Sequence, residues 1–159
     1  MFKLGDRVVY PMHGAGIIEA IEEKEVLGEK QKYYILRLPL GDMRVMIPLR
    51  NANDIGIREV VSEDCLQEAL SILQDEETEM PSNWNQRFRS TLEKIRSGDI
   101  KPVAEVMRNL VRRDQEKGLS TGERKMLDAA RQIFISELIL VRDMEEEAAT
   151  RLVDDLLGC

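Results

Sequence analysis

Trp84, the one tryptophan of this 159-residue chain, lies in Met80-Pro81-Ser82-Asn83-Trp84-Asn85-Gln86-Arg87-Phe88-Arg89, close to two arginines. A large apolar ring beside guanidinium groups can press on an unstacked base while the cations hold phosphates. A second cationic pair, Arg124 and Lys125, follows Ser120-Thr121-Gly122-Glu123 at what reads as the start of a helix. Backbone N–H groups left free at such an end favour a phosphate as well. Arg108, Arg112 and Arg113 add cations on the preceding helix at spacings of four and five. A plainer reading makes Trp84 the cover of a small core and each arginine part of a solvated face or an ion pair with Asp114, Glu116 or Asp128. Both readings stand on local sequence alone.

Other chemistry has little footing. His13, the only histidine, has no nucleophile arranged around it in Pro11-Met12-His13-Gly14. Gly14-Ala15-Gly16 lacks the third glycine and following helix of a dinucleotide site and reads as a turn. There is no phosphate-cradling loop and no G-x-S-x-G element. The carboxylates fall in charge runs that read as solvated faces. No catalytic residue, cofactor or metal is therefore expected, and the chain is not expected to be an enzyme. Cys65 and Cys159 make no disulfide framework, and with a single histidine they make no zinc set.

The net charge of −7 looks hostile to nucleic acid, yet it is unevenly spread. Residues 1–60 are balanced, with nine Lys and Arg against nine Asp and Glu. Residues 61–80 carry seven acids and no base, and residues 141–159 carry six acids against two bases. Between them, residues 81–140 carry twelve bases against eight acids. A locally positive stretch bracketed by acidic segments can hold phosphates while limiting non-specific binding. Such a chain needs a second partner to bring it to its site. No apolar run approaches the roughly 20 residues of a membrane span. The N-terminus lacks the basic-then-apolar pattern of a secretory signal, so cytoplasmic residence is expected.

Two kinds of element must position these residues. Up to about residue 60 the period is two. Strands are expected at 6–10, 16–21, 32–38 and 42–48, with a short fifth around Ile57 and Arg58 and a hairpin tip over residues 24–30. Short strands packed into some 60 residues predict a small, bent sheet or barrel of the Tudor or SH3 kind. After Val60 the period becomes 3.6. Ser62-Glu63-Asp64 reads as a cap leading into Leu66, Ala69, Leu70 and Leu73. Residues 75–82 form a polar linker, and Ser82 caps a helix carrying Trp84, Phe88, Leu92 and Ile95 on one stripe. Two further helices open near Pro102 and at Ser120 or Thr121, and a last one runs over about 145–157. The expectation is an α+β chain of two domains: residues 1–60 a Tudor-like module and residues 61–159 an all-α bundle of four to five helices.

The order of these features resembles the CarD/CdnL family of bacterial transcription regulators. The likeness is carried by F-K-L-G-D-R-V-V-Y-P-M-H-G-A-G at residues 2–16, G-E-K-Q-K-Y-Y at 28–34 and V-M-I-P at 45–48. It continues in P-S-N-W-N-Q-R-F at 81–88, L-E-K-I-R-S-G-D at 92–99, R-R-D-Q-E-K-G-L-S at 112–120 and G-E-R-K-M-L at 122–127. The N-terminal module alone is shared with transcription-repair coupling factors; the helical half separates the two. The resemblance implies that the N-terminal module docks on the RNA polymerase β subunit, through Lys24 and the stretch Arg44, Val45, Met46 and Ile47. It implies that the helical domain contacts promoter DNA at the upstream edge of the transcription bubble. There the residue matched by Trp84 wedges into the minor groove, and those matched by Arg87, Arg89 and Arg124 touch the backbone. Met46 is a departure, being apolar where some relatives are basic. A different class of function remains beside this one: a protein-interaction adaptor in which Trp84 anchors a second protein.

Overall fold

The computed structural model describes residues 2–159. Five strands come first: β1 (Arg7–Tyr10), β2 (Gly14–Val26), β3 (Glu29–Leu38), β4 (Met43–Pro48) and β5 (Arg58–Glu59). They form one antiparallel sheet in the order β4-β3-β2-β1-β5, so the last strand returns to pair with the first. The expected α+β layout, a small sheet followed by a helical bundle, is what the chain adopts. A one-turn helix, α1 (Ala52–Ile55), lies between β4 and β5. The bundle comprises α2 (Glu63–Ile72), α3 (Trp84–Arg96), α4 (Ile100–Glu116), α5 (Thr121–Arg142) and α6 (Glu146–Leu157).

Strand alternation explains how β1 serves two cores. Val8 packs with Ile18, Tyr34, Leu36, Leu38 and Ile47 in the core of the sheet. Its neighbour Val9 points the other way and packs with Ala15 and Leu140 of α5. β1 is thus covered on both faces, which is why two consecutive valines are fully buried. A register shift between Ile18 and Ala20 bends β2.

β2 and β3 run on well past the core as a two-stranded ribbon. The hairpin tip expected over seven residues is only Leu27-Gly28, because Lys24 pairs with Gln31, Glu25 with Lys30 and Val26 with Glu29. Cross-strand Glu25 and Lys30, and Glu23 and Lys32, put opposite charges side by side, which supports pairing where no core does. Both tip residues have positive φ, 53° at Leu27 and 80° at Gly28, as a two-residue turn matched to strand twist requires. A leucine there is strained and fully exposed. Leu27→Asn is expected to stabilise the protein by about 0.5–1 kcal/mol, read as a higher urea midpoint with unchanged slope.

The helices start where side chains can satisfy free N–H groups. Ser62 accepts from the Cys65 N–H at 3.2 Å and Ser120 from that of Glu123 at 3.2 Å. For α3 the cap is Asn83, not Ser82: its Oδ1 accepts from the Gln86 N–H at 3.2 Å, which makes Trp84 the first helical residue. The bundle core gathers Leu66, Leu73, Ile95, Met107, Leu110, Phe134 and Leu138.

Sheet and bundle meet through polar contacts around α5. Glu137, only 1% exposed, accepts from Arg58 Nη1 at 2.8 Å, Arg58 Nη2 at 2.9 Å and the Val61 N–H at 2.8 Å. Arg58 Nε donates to the Gly98 carbonyl at 2.6 Å, bringing the turn before α4 into the same knot. The Ala15 N–H donates to Ser136 Oγ at 2.8 Å. Arg7 donates to the Leu140 carbonyl and pairs with Asp143 at 2.9 Å.

Candidate functional site

The first turn of α3 and the first turn of α5 lie side by side, and their residues make up the surface that carries Trp84. Trp84 is 46% exposed. Its ring stacks on that of Phe88, one helical turn along, at 5.1 Å between centroids and 26° between planes. One face of the indole is therefore supported while an edge and the outer face meet water. The apolar stripe runs as expected into the core: Phe88 and Leu92 are partly buried and Ile95 is 1% exposed. Trp84 stands at the outer end of that stripe and does not close the core beneath it.

Arg87 is where the sequence reading needs correction. It is 5% exposed and turned inward, so its guanidinium does not flank the indole on the surface. Arg87 Nε donates to Glu123 at 3.0 Å, and Nη1 reaches the Pro81 and Ser82 carbonyls at 3.4 Å. Three residues past Trp84 on a helix lies the face that meets α5, and there Arg87 finds a buried carboxylate. The side chains of the pair are only 7% and 4% exposed. Arg113 of α4 approaches the same carboxylate at 3.5 Å. Burial alone would raise the Glu123 carboxyl, but the hydrogen bonds from Arg87 and Ser120 and the Arg87 charge outweigh it and hold it below the usual range. This latch ties α3, α4 and α5 together about one helical turn from the tryptophan.

The other expected cations stay on the outside. Arg89 and Lys125 are exposed. Arg124 is exposed as well and pairs with Asp114 at 3.0 Å, a surface contact weak enough to be exchanged for a phosphate. Lys125 follows Gly122 by three residues on α5, which makes the two neighbours along that helix. Arg108 and Arg112 serve the linker instead: Arg108 donates to the Ile72 carbonyl and Thr78 Oγ1, and Arg112 to the Asp75 carbonyl.

On the sheet, the stretch 44–47 divides by strand alternation. Arg44 and Met46 face outward, Met46 being 41% exposed, whereas Ile47 is 1% exposed in the sheet core and Val45 packs against it. Of the stretch expected to meet polymerase, Ile47 thus turns its side chain into the sheet core and leaves only its backbone to a partner. Arg44, Met46 and Lys24 border one shallow depression, with Glu19, Glu22 and Ile35. β4 is an edge strand, pairing with β3 on one side only.

Glu123, Phe88 and Gly122 were not legible as site residues. Glu123 shows in the sequence as a capping position, Ser120-x-x-Glu123, but nothing local reveals its partner 36 residues earlier. Elsewhere, His13 is exposed and packs on the Tyr10 ring at 4.3 Å. Among the described residues no group of three or more His, Cys, Asp or Glu is placed to hold a metal ion. No described helix is long and apolar enough to cross a membrane.

Fold and site together define a two-domain protein in which a small sheet with an open edge is joined to a helical bundle that displays an aromatic among cations. Comparison with known proteins then places it. Residues 2–61 match the family model of the CarD-like/TRCF RID domain, and residues 68–154 that of the CarD C-terminal domain. The chain is 46% identical over 147 residues to the "Putative transcription factor YdeB" of Bacillus subtilis (strain 168), covering 92% of this chain and 96% of that protein. Solved N-terminal domains are also similar. The 72-residue N-terminal domain of Myxococcus xanthus CarD is 37% identical, over 37% of this chain and 79% of that one, with a TM-score of 0.33. CdnLNt of the same organism is 44% identical, over 40% of this chain and 89% of that one, with a TM-score of 0.35. The chain belongs to the CarD family, and its role is that of a transcription regulator.

Proposed function

We propose that this protein docks on the β subunit of RNA polymerase through its N-terminal sheet and stabilises the open promoter complex with Trp84, which wedges into the minor groove at the upstream edge of the bubble. The observation that carries the reading is Trp84 itself: nearly half exposed, stacked on Phe88 and on the same helix as the buried Arg87 of the ionic latch. A ring so presented already has its orientation fixed, so less freedom is lost on contact. Arg89, Lys125 and Arg124 are the cations that hold the phosphates. Arg87 acts from inside, by fixing α3 against α5.

The docking surface is the outer face of β4 with the ribbon beside it: Arg44, Met46 and Lys24, with Val45 contributing backbone. An edge strand offers unpaired N–H and C=O groups to a strand of a partner, and Met46 adds an apolar contact. Tethering of this kind explains how a chain of net charge −7 acts on DNA, because attachment to polymerase raises its local concentration at the promoter. No cofactor, metal or enzymatic step enters the mechanism.

A wedge need supply only about 1–3 kcal/mol, the scale of one base–aromatic contact. Permanganate reactivity of unpaired thymines at the upstream bubble edge tests it. Wild-type protein is expected to raise that reactivity, and Trp84→Ala to leave it at the level of polymerase alone while still binding polymerase. Equal reactivity with both proteins contradicts the wedge.

A further inference from the structure

Gly122 occupies a position that neither helix propensity nor backbone geometry asks of a glycine. It is the second residue of the 22-residue helix α5, and it is not among the residues with positive φ. Alanine would serve the helix better there. What the position does demand is space. A Cβ at Gly122 would come within 3.3 Å of Phe88 Cε2 and 3.9 Å of Trp84 Cζ2. The first distance is too close for the ring to stay where it is; the second is ordinary contact. Phe88 and Trp84 therefore lie over bare backbone. The next residue, Glu123, grips Arg87 of the same helix that carries both rings, so seat and stack are held together by adjacent residues.

We infer that Gly122 is a positioning residue: its missing side chain sets the height and tilt at which Trp84 meets DNA. The functional consequence rests on the wedge reading; the structural one does not. The single tryptophan makes it directly measurable. In Gly122→Ala and Gly122→Leu, Phe88 must shift and the indole stacked on it shifts outward with it, by a few tenths of an ångström for alanine and more for leucine. Trp84 is 46% exposed, which leaves room for up to about a twofold rise in acrylamide quenching of its fluorescence. The rise is expected to be larger for leucine than for alanine.

The melting temperature of Gly122→Ala balances the gain from a better helix former against the cost of moving Phe88, and is measured beside activity. Polymerase binding should be unchanged, and the lengthening of open-complex lifetime should fall in the order wild type, alanine, leucine. Lower activity with equal or greater stability is a combination that a purely structural glycine cannot give. Unchanged quenching in Gly122→Leu would overturn the inference. So would raised quenching with a wild-type effect on lifetime, where Trp84→Ala abolishes that effect. If Trp84→Ala itself changes nothing, the wedge reading fails, and the quenching series alone decides whether Gly122 seats the stack.

Discussion

Replacing Glu123 by alanine is expected to destabilise the protein by about 3–5 kcal/mol, a loss on the order of 10 °C in melting temperature for a chain of this size. The reason is what the substitution leaves behind. Arg87 has a side chain 7% exposed and its Nε is held by Glu123 at 3.0 Å, so without the carboxylate its charge stays buried with only long contacts to two carbonyls. Arg113 loses its one close acid in the same step. Removing both members of the principal pair, as Arg87→Met with Glu123→Leu, is expected to recover part of the loss, because the buried Arg87 charge goes with its partner while Arg113, a quarter exposed, still lacks its acid. Acidity adds a second signature. The Glu123 carboxyl is held below its ordinary value in the folded protein, so its stabilising contribution is complete above the unfolded carboxylate pKa of about 4.3 and is lost as pH falls through the folded value. The gap between wild type and Glu123→Ala is therefore widest near neutrality and narrows at low pH. Urea titrations at pH 7 and below 4 check this, and a gap that widens on acidification contradicts it.

Glu137→Ala is expected to cost a comparable amount, about 3–4 kcal/mol, and to loosen the joint between sheet and bundle. Glu137 accepts three hydrogen bonds, two from Arg58 beside the sheet and one from the Val61 N–H where the chain passes into the bundle. Without it, the Arg58 guanidinium keeps only the Gly98 and Glu59 carbonyls, and the Val61 N–H loses its acceptor. The contacts that remain are Ala15 to Ser136, Arg7 to Asp143 and the Leu140 carbonyl, and the small apolar cluster of Val9, Ala15 and Leu140. Calorimetry is expected to show one transition for wild type and two overlapping transitions for the variant. A single transition at the wild-type temperature would mean that the knot around Glu137 does not couple the two halves.

The joint matters to function because a wedge held at a fixed distance from its docking surface does not have to search for the groove. A tether alone supplies concentration; a stiff one also supplies orientation.

Much of this architecture could be read from periodicity and caps. The run of β-branched and aromatic residues at 32–38 places β3, and Ser62 and Ser120 mark helix starts found in the structure. The misreadings have different physical causes. Arg87 read as a surface cation because its partner is 36 residues distant, on another helix. Ile47 came with the stretch 44–47 that the family resemblance implies, although alternation alone turns the side chains of Val45 and Ile47 inward. The hairpin tip read long because polar, charged residues look like loop; cross-strand Glu and Lys pairs keep them in register as strand. Gly122 went unnoticed because a glycine in a helix marks nothing until the rings over it are seen.

The most direct test of the account is the lifetime of open promoter complexes formed by the cognate polymerase, measured with wild-type protein and with Trp84→Ala, both at concentrations shown to saturate polymerase. A contact of about 1–3 kcal/mol made only in the open state lengthens that lifetime by roughly five- to a hundred-fold. Wild type is expected to give such an increase and Trp84→Ala to give none. A wild-type protein that binds polymerase and leaves the lifetime unchanged, or a variant that lengthens it equally, contradicts the wedge and leaves Trp84 as the anchor for a second protein.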